Sequence, residues 1–354
     1  MGVKQGLRRL GLAVATVLCC WPASAQATFP GENGKIAFRA ATAAGTGIHA
    51  IDPDGGGLEL LIPEGSGPAW SASGRRIAYS STDGVYVADQ DGSGQTHVRE
   101  RVVVRSHESL VETIEFYEPT WAPDGTKIAY TAVDLLCIQR LGCFEEALGI
   151  RAMAPDGSKD HLLIDAFAAD AAYSPDGARI AWLDHHTVIP PALHVSNADG
   201  TGDTVLVAAS EQASPASASW SPDGTRIAFA RRVGTTGGQA EIFVMNADGS
   251  DQTRLTFDGA NGSPVWSPDG TKIAWIRSRH VWVMNPDGSG QTMLTSQPML
   301  MTGLDWQPVP GPRREDFRNA AHFCKALREH LGEQEFRQTY RNHGGCVSRS
   351  NVPR

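Results

Sequence analysis

Histidines and carboxylates close together in the chain are the first candidates for chemistry. The densest group is Asp184-His185-His186 with His194. Imidazoles suit transition metals, so His185, His186 and His194 are the candidate metal ligands. Two features favour a plainer reading. Adjacent residues of a strand point to opposite faces, and Pro190-Pro191 follow closely. The segment therefore reads as an exposed polar loop, and no metal or other cofactor is assigned. No G-x-S-x-G nucleophile turn occurs, and His107-Glu108-Ser109-Leu110-Val111 lacks the second histidine of a zinc-protease helix. No catalytic residue is assigned, and the expectation is that the chain is not an enzyme.

Asp52-Pro53-Asp54-Gly55 and Asp89-Gln90-Asp91-Gly92 invite calcium, but they lack the further ligands of an EF-hand loop. Their repetition favours hairpin turns. Six aromatics, Phe38, Tyr79, Tyr130, Trp182, Phe229 and Trp275, could stack sugars. One such residue per repeat is better explained by packing between neighbouring sheets.

The ends carry different information. Lys4, Arg8 and Arg9 precede an apolar run from Leu10 to Leu18, and Ala23-Ser24-Ala25 supplies a cleavage site. That order reads as a signal peptide over residues 1–25, and the apolar run is too short to span a membrane. The expected location is periplasmic, envelope or extracellular. Removing the leader takes the formal charge from −8 to −11. An acidic chain with mixed charges argues against a nucleic-acid partner. Cys137, Cys143, Cys324 and Cys346 remain after cleavage. Four cysteines allow three pairings; proximity in an exported chain favours Cys137–Cys143 and Cys324–Cys346.

What must position these residues is a repeat. Trp121-Ala122-Pro123-Asp124-Gly125-Thr126-Lys127-Ile128-Ala129-Tyr130 has counterparts beginning at Trp70, Tyr173, Trp220 and Trp266. A period in the forties to low fifties is that of propeller blades. Ser-Pro-Asp-Gly makes a tight turn: Pro presets φ, Asp bonds local backbone, and Gly takes the left-handed conformation. A strand, a second strand, a D-G turn and a last strand follow, giving four strands per unit. The first unit, at Asn33-Gly34-Lys35-Ile36-Ala37-Phe38, lacks its leading strand. Gly303-Leu304-Asp305-Trp306-Gln307-Pro308 is that strand without its continuation. Joining the two halves would remove two open sheet edges. The fold class expected is all-β, a six-bladed β-propeller closed by its N- and C-terminal strands.

The phrase WSPDG-x-[KR]-IAF with the later D-G-[ST] resembles the repeat of the TolB-like propeller family over about residues 33–308. Ser71-Ala72-Ser73-Gly74 and Tyr173 depart from it. That resemblance implies the propeller fold and leaves function open, because related propellers serve envelope assembly, peptidases and oligogalacturonate lyases. A peptidase of that kind would need a hydrolase domain, and only residues 309–354 follow the propeller (26–308). This tail reads as a helical hairpin, with Phe317, Ala320, Cys324, Leu327 and Leu331 at helical spacing.

Two segments interrupt the repeat, Arg99–Glu118 and Asp134–Gly149, and irregular loops are where function concentrates. The expected role is a scaffold that binds a protein or an envelope ligand and is not an integral membrane protein. The alternatives are a metal-dependent polysaccharide lyase or hydrolase using channel residues, and a structural protein assembling through its C-terminal hairpin.

Overall fold

The computed structural model describes residues 28–107, 110–139, 142–165, 167–184, 191–208, 210, 214–234, 239–309, 321–328 and 346. The Ser-Pro-Asp-Gly phrase folds as the sequence predicts. At Ser221-Pro222-Asp223-Gly224 the Gly224 N–H donates to the Ser221 carbonyl at 2.8 Å. The Asp223 carboxylate accepts from the Ser221 hydroxyl at 2.6 Å and from the Thr225 N–H at 3.0 Å. The turn thus satisfies its own polar groups and reverses the chain between two strands.

Six antiparallel sheets result. The second is typical: Ser66–Trp70, Arg76–Ser81, Gly84–Asp89 and Thr96–Glu100 lie side by side in chain order. The fourth, fifth and sixth sheets repeat it, starting at Ala168–Tyr173, Pro215–Trp220 and Asn261–Trp266. The first sheet is the composite one. Its leading strand is the last of the chain, Leu300–Val309, which pairs with Glu32–Thr42. Ile36 lies opposite Trp306, Ala37 opposite Asp305 and Phe38 opposite Leu304. The third sheet has five strands, with Val102–His107 added beside its leading strand.

Each leading strand contacts the leading strands of the sheets before and after it, and the first meets the sixth. These strands therefore surround the axis. All six carry a left-handed residue three positions before the aromatic: Gly67, Glu118, Asp170, Ser217, Ser263 and Gly303. Pairing with the next strand shifts at the same place in every sheet, so each is a β-bulge that bends the axial strand.

The repeated phrase owes as much to contacts between sheets as to turns. Arg179 covers the Trp220 ring of the next sheet at 4.6 Å, and Arg226 covers Trp266 at the same distance. The basic residue after Gly thus shields the following aromatic by a cation–π contact. The second turn, D-G-[ST], packs against the neighbour as well. A Cβ on Gly92 would sit 2.3 Å from the Leu61 carbonyl oxygen, and one on Gly55 would sit 2.7 Å from that of Leu294. The latter contact joins the first sheet to the sixth.

The six strand aromatics are all buried. Several stack on the residue opposite them, as Phe229 does on Phe243 (centroids 5.6 Å apart) and Tyr79 on Tyr86 (5.4 Å). They are core residues, as expected. Tyr173 stands where the other sheets have Trp, and burial pushes its hydroxyl up to about 12. The chain enters the ring at Thr28 and Phe29, both buried. Thr28 hydrogen-bonds the Ser219 hydroxyl at 3.0 Å, while Phe29 shares a core cluster with Trp121 and Tyr173.

The expected leader, residues 1–25, lies outside the described residues, as does most of the expected C-terminal hairpin. Residues 321–328 are helical. Cys324 pairs with Cys346, and Cys137 with Cys143. Among the described residues no helix is long and apolar enough to cross a membrane.

Candidate functional site

Alternation of strand direction sorts every connection to one of two ends. The Ser-Pro-Asp-Gly and D-G-[ST] turns share one end. The links between second and third strands, and between sheets, share the other. At the turn end the carboxylates are engaged in turn geometry. Asp91 accepts from the Ser93 hydroxyl at 2.6 Å and from its N–H at 3.0 Å, which holds its carboxyl below the usual range. Asp199, Asp248 and Asp287 do the same with Thr201, Ser250 and Ser289. These are hairpin turns, in line with the sequence reading.

Of the candidate ligands, His185 and His186 lie outside the described residues. His194 is on Leu193–Asn197 and is buried, its ring stacked 4.1 Å from Trp182. Its Nδ1 faces Asp203 at 3.0 Å, and its Nε2 lies 3.7 Å from Asp184. This is the same cross-strand position that Phe243 and Tyr86 occupy in their sheets, so packing accounts for the ring. Among the described residues no three His, Cys, Asp or Glu side chains come together as a metal site.

The third sheet is where the repeat departs from its geometry. Sequence reading treats Arg99–Glu118 and Asp134–Gly149 as loops; both are largely strand. Leu110–Trp121, Ile128–Ile138 and Gly142–Met153 run 12, 11 and 12 residues, against 5, 6 and 6 for their counterparts in the second sheet. Alternating Val, Thr, Ile, Leu and Phe in these segments favours strand, and pairing continues to the tip. Cys137 faces both Val111 and Cys143, so the disulfide staples two directly opposed positions. Val102–His107 then turns back and pairs with Leu110–Trp121, Val103 opposite Thr113 and His107 opposite Leu110.

This sheet projects past the ring at the end away from the turns. Its root is held by charge. Arg151 and the Tyr130 hydroxyl bond Asp160, at 3.0 and 2.6 Å. Burial alone would raise the Asp160 carboxyl, but these partners hold it below the usual range. Arg99 reaches the same carboxylate at 3.4 Å and covers the Phe116 ring at 4.6 Å. Further out, Arg105 pairs with Glu112 at 2.7 Å. Burial, then the neighbouring Glu112 and Glu146, raises the Asp134 carboxyl.

The projecting sheet is also where apolar groups reach solvent together. Val102, Val103, Val104, Val111, Phe144 and Leu148 are all exposed, Val103 at 56% and Phe144 at 48%. Exposed apolar residues elsewhere are mostly scattered along outer strands, which is ordinary for a protein surface. By register Val103 and Val111 fall on one face of this stapled sheet and Val102 and Phe144 on the other, so the projection offers apolar groups to a partner on both faces.

A second feature at the same end has no sequence signature. Glu241 is buried and accepts from Arg254, the Thr256 hydroxyl, the Gly259 N–H and Asn261, at 2.6–2.9 Å. It fixes a link whose Phe257 is 73% exposed beside an open cavity of about 520 Å³. Its partners all lie within residues 254–261, between the fifth and sixth sheets, and no motif there announces an acidic partner, so only the contacts reveal it.

Comparison with known proteins places these features in context. The TolB beta propeller domain family matches residues 84–308. No curated protein matches the chain. Among solved structures, TolB from Acinetobacter baumannii superposes with a TM-score of 0.61 at 19% identity, covering 79% of this chain and 68% of that one. An oligogalacturonate lyase in complex with manganese gives 0.51 at 13%, covering 78% and 77%. A puromycin hydrolase gives 0.50 at 14%, covering 78% and 54%. At these identities the likeness is one of fold.

Proposed function

Since the chain belongs to the TolB beta propeller domain family, we propose that it is an exported binding scaffold whose projecting third sheet captures a protein partner. One observation carries this reading. The only place where the repeat is lengthened by regular, disulfide-stapled strands among the described residues is also where a run of apolar side chains is exposed. The other candidate groups are accounted for by the fold: turn carboxylates by their turns, strand aromatics by stacking, His194 by Trp182. Fold alone does not choose between binder and enzyme; the support lies in this surface. Export agrees with the leader-like residues 1–25 and with two disulfides, which persist in oxidising compartments.

The test is capture of partners from an envelope extract by the mature chain and by Phe144→Ser and Val111→Ser. Both side chains are exposed, so melting temperature should hold while capture falls. Capture unchanged in both variants would remove the third sheet from consideration.

A further inference from the structure

The six leading strands around the axis carry no Lys, Arg or His. Their charged residues are Glu112, Glu115, Glu118, Asp170 and Asp305. Glu112 and Glu115 lie in the projection, paired with Arg105 and Arg101. Asp305 is bound by two backbone N–H groups. Glu118 and Asp170 are the left-handed bulge residues of adjoining sheets. Asp170 is fully buried, and Glu118 Oε2 is buried with no hydrogen-bond partner among the described residues. An ionised carboxylate away from water is costly unless a cation pairs with it.

The first described residues run toward this level. The Gly31 N–H bonds the carbonyl of Pro268, in a Ser-Pro-Asp-Gly turn, at 3.2 Å. Three residues earlier, the Thr28 hydroxyl bonds the Ser219 hydroxyl at 3.0 Å and the Trp266 carbonyl at 3.5 Å. Ser219 and Trp266 lie on leading strands, so the segment read backwards passes from the turns into the ring. Thr120 holds in the third sheet the position of Ser219, and its fully buried hydroxyl has no partner among the described residues.

We infer that the axial position of Glu118 and Asp170 is a binding site for the chain's own processed N-terminus, whose α-ammonium pairs with these carboxylates. The inference rests on the export part of the proposed function, because cleavage after Ala25 makes Gln26 the first residue. Reach and charge choose this occupant. Gln26 is two residues beyond Thr28, and the bulge residue Ser217 is two residues back from Ser219 on its strand. Extended chain covers both spans at about 3.3 Å per residue. An α-amino group is cationic at neutral pH, and the wall around it supplies acids alone. With the leader attached, position 26 offers an amide N–H in place of an ammonium, and residues 1–25 would have to thread the ring. Leader removal therefore supplies the charge that the axial site takes up.

The experiment compares a chain released from a cleavable fusion, so that it begins at Gln26, with one that keeps Gly-Ser-Gly-Ser before Gln26. Each is made with and without Glu118→Gln. An accessible N-terminal glutamine cyclises under glutaminyl cyclase: its α-amine attacks the side-chain amide carbon, and ammonia leaves. In the folded Gln26 chain this reaction, read by mass, should run at least about tenfold slower than in a free peptide of residues 26–33. Glu118→Gln should return much of that rate. The Gly-Ser extension should lower the melting temperature of the wild type more than that of Glu118→Gln. Cyclisation as fast as in the peptide, or an extension that acts equally on both backgrounds, would overturn the inference. So would a calcium-dependent rise in melting temperature that Glu118→Gln removes, since the site would then take its cation from solution. Failure of the export reading is separable. It would show as a leader still attached when the native chain is sequenced from its N-terminus, whereas the fusion sets residue 26 regardless.

Discussion

The backbone N–H of Trp70 donates to the carboxylate of Asp305 at 2.5 Å, across 235 positions of sequence. Asp305 lies on the chain's last strand and Trp70 on the first strand of the second sheet, so this bond ties the composite sheet to its neighbour. The same carboxylate accepts from the Trp306 N–H at 2.9 Å. Asp305 is buried, and burial raises its carboxyl well above the ordinary value despite both hydrogen bonds.

A pH dependence follows, with a definite sign. A carboxyl whose folded pKa lies above its unfolded value, about 3.9, binds more protons in the folded state. Stability then falls as pH rises from the unfolded toward the folded pKa. Asp305→Asn removes the buried charge but keeps only one of the two acceptor oxygens, since Trp70 bonds Oδ2 and Trp306 bonds Oδ1. We therefore expect the variant to lose that pH slope, at some cost in stability for the N–H left without an acceptor. Melting curves from about pH 4 to pH 8 check this; a variant that keeps the wild-type slope would show that another group sets it.

The composite sheet can be tested by removing its last strand. Ending the chain before Gly303 deletes the residues opposite Ile36, Ala37 and Phe38 and leaves Glu32–Thr42 as an open sheet edge. Aggregation or a large loss of melting temperature is the expected result. A truncated chain as stable as the full one would mean that the pairing contributes little.

Gly92 and Gly125 both hold left-handed backbone, at φ of 79° and 68°. They differ in surroundings. A Cβ on Gly92 would strike the Leu61 carbonyl at 2.3 Å, whereas one on Gly125 meets nothing within 4 Å. Gly125→Ala should cost only the left-handed strain, about 1–2 kcal/mol. Gly92→Ala should cost clearly more, because backbone in the adjacent sheet must move. Equal losses in denaturant melts would mean that turn conformation alone explains the repeat.

The repeat was legible because each of its residues answers a local demand that recurs: proline and glycine for turns, alternating apolar residues for strands. The split at Asn33 and Gly303 was legible as two complementary halves, and the pairing of Ile36 with Trp306 is what those halves imply. The contacts between sheets were not. Arg179 over Trp220 and Gly92 against Leu61 join residues of separate units, and no period within one unit announces them. The third sheet misled for the opposite reason. Arg99–Glu118 and Asp134–Gly149 have strand-forming residues, but departure from the repeat made them look like loops. Glu241 gave no signal because only the fold brings it against residues 254–261, where its four partners lie.

The last prediction concerns His194, where the binding and enzymatic readings part. In a scaffold, His194 is a packing residue: buried, stacked on Trp182 and bonded to Asp203 at 3.0 Å. His194→Ala would then lose a stacked ring and leave a small cavity, lowering stability by about 1–3 kcal/mol. His194→Phe would restore the stack, as Phe243 provides it in the fifth sheet, and recover much of that loss. Neither variant would change turnover of polysaccharide or peptide substrates, because none is expected from the wild type. In a metal-dependent lyase the pattern reverses. Purified protein would carry a transition metal in stoichiometric amount, and both His194→Ala and His194→Phe would abolish turnover, since a phenyl ring fills space but cannot ligate. Elemental analysis, melting temperature and a substrate panel on the three proteins therefore separate the readings. Metal together with turnover that Phe fails to rescue would overturn the scaffold proposal.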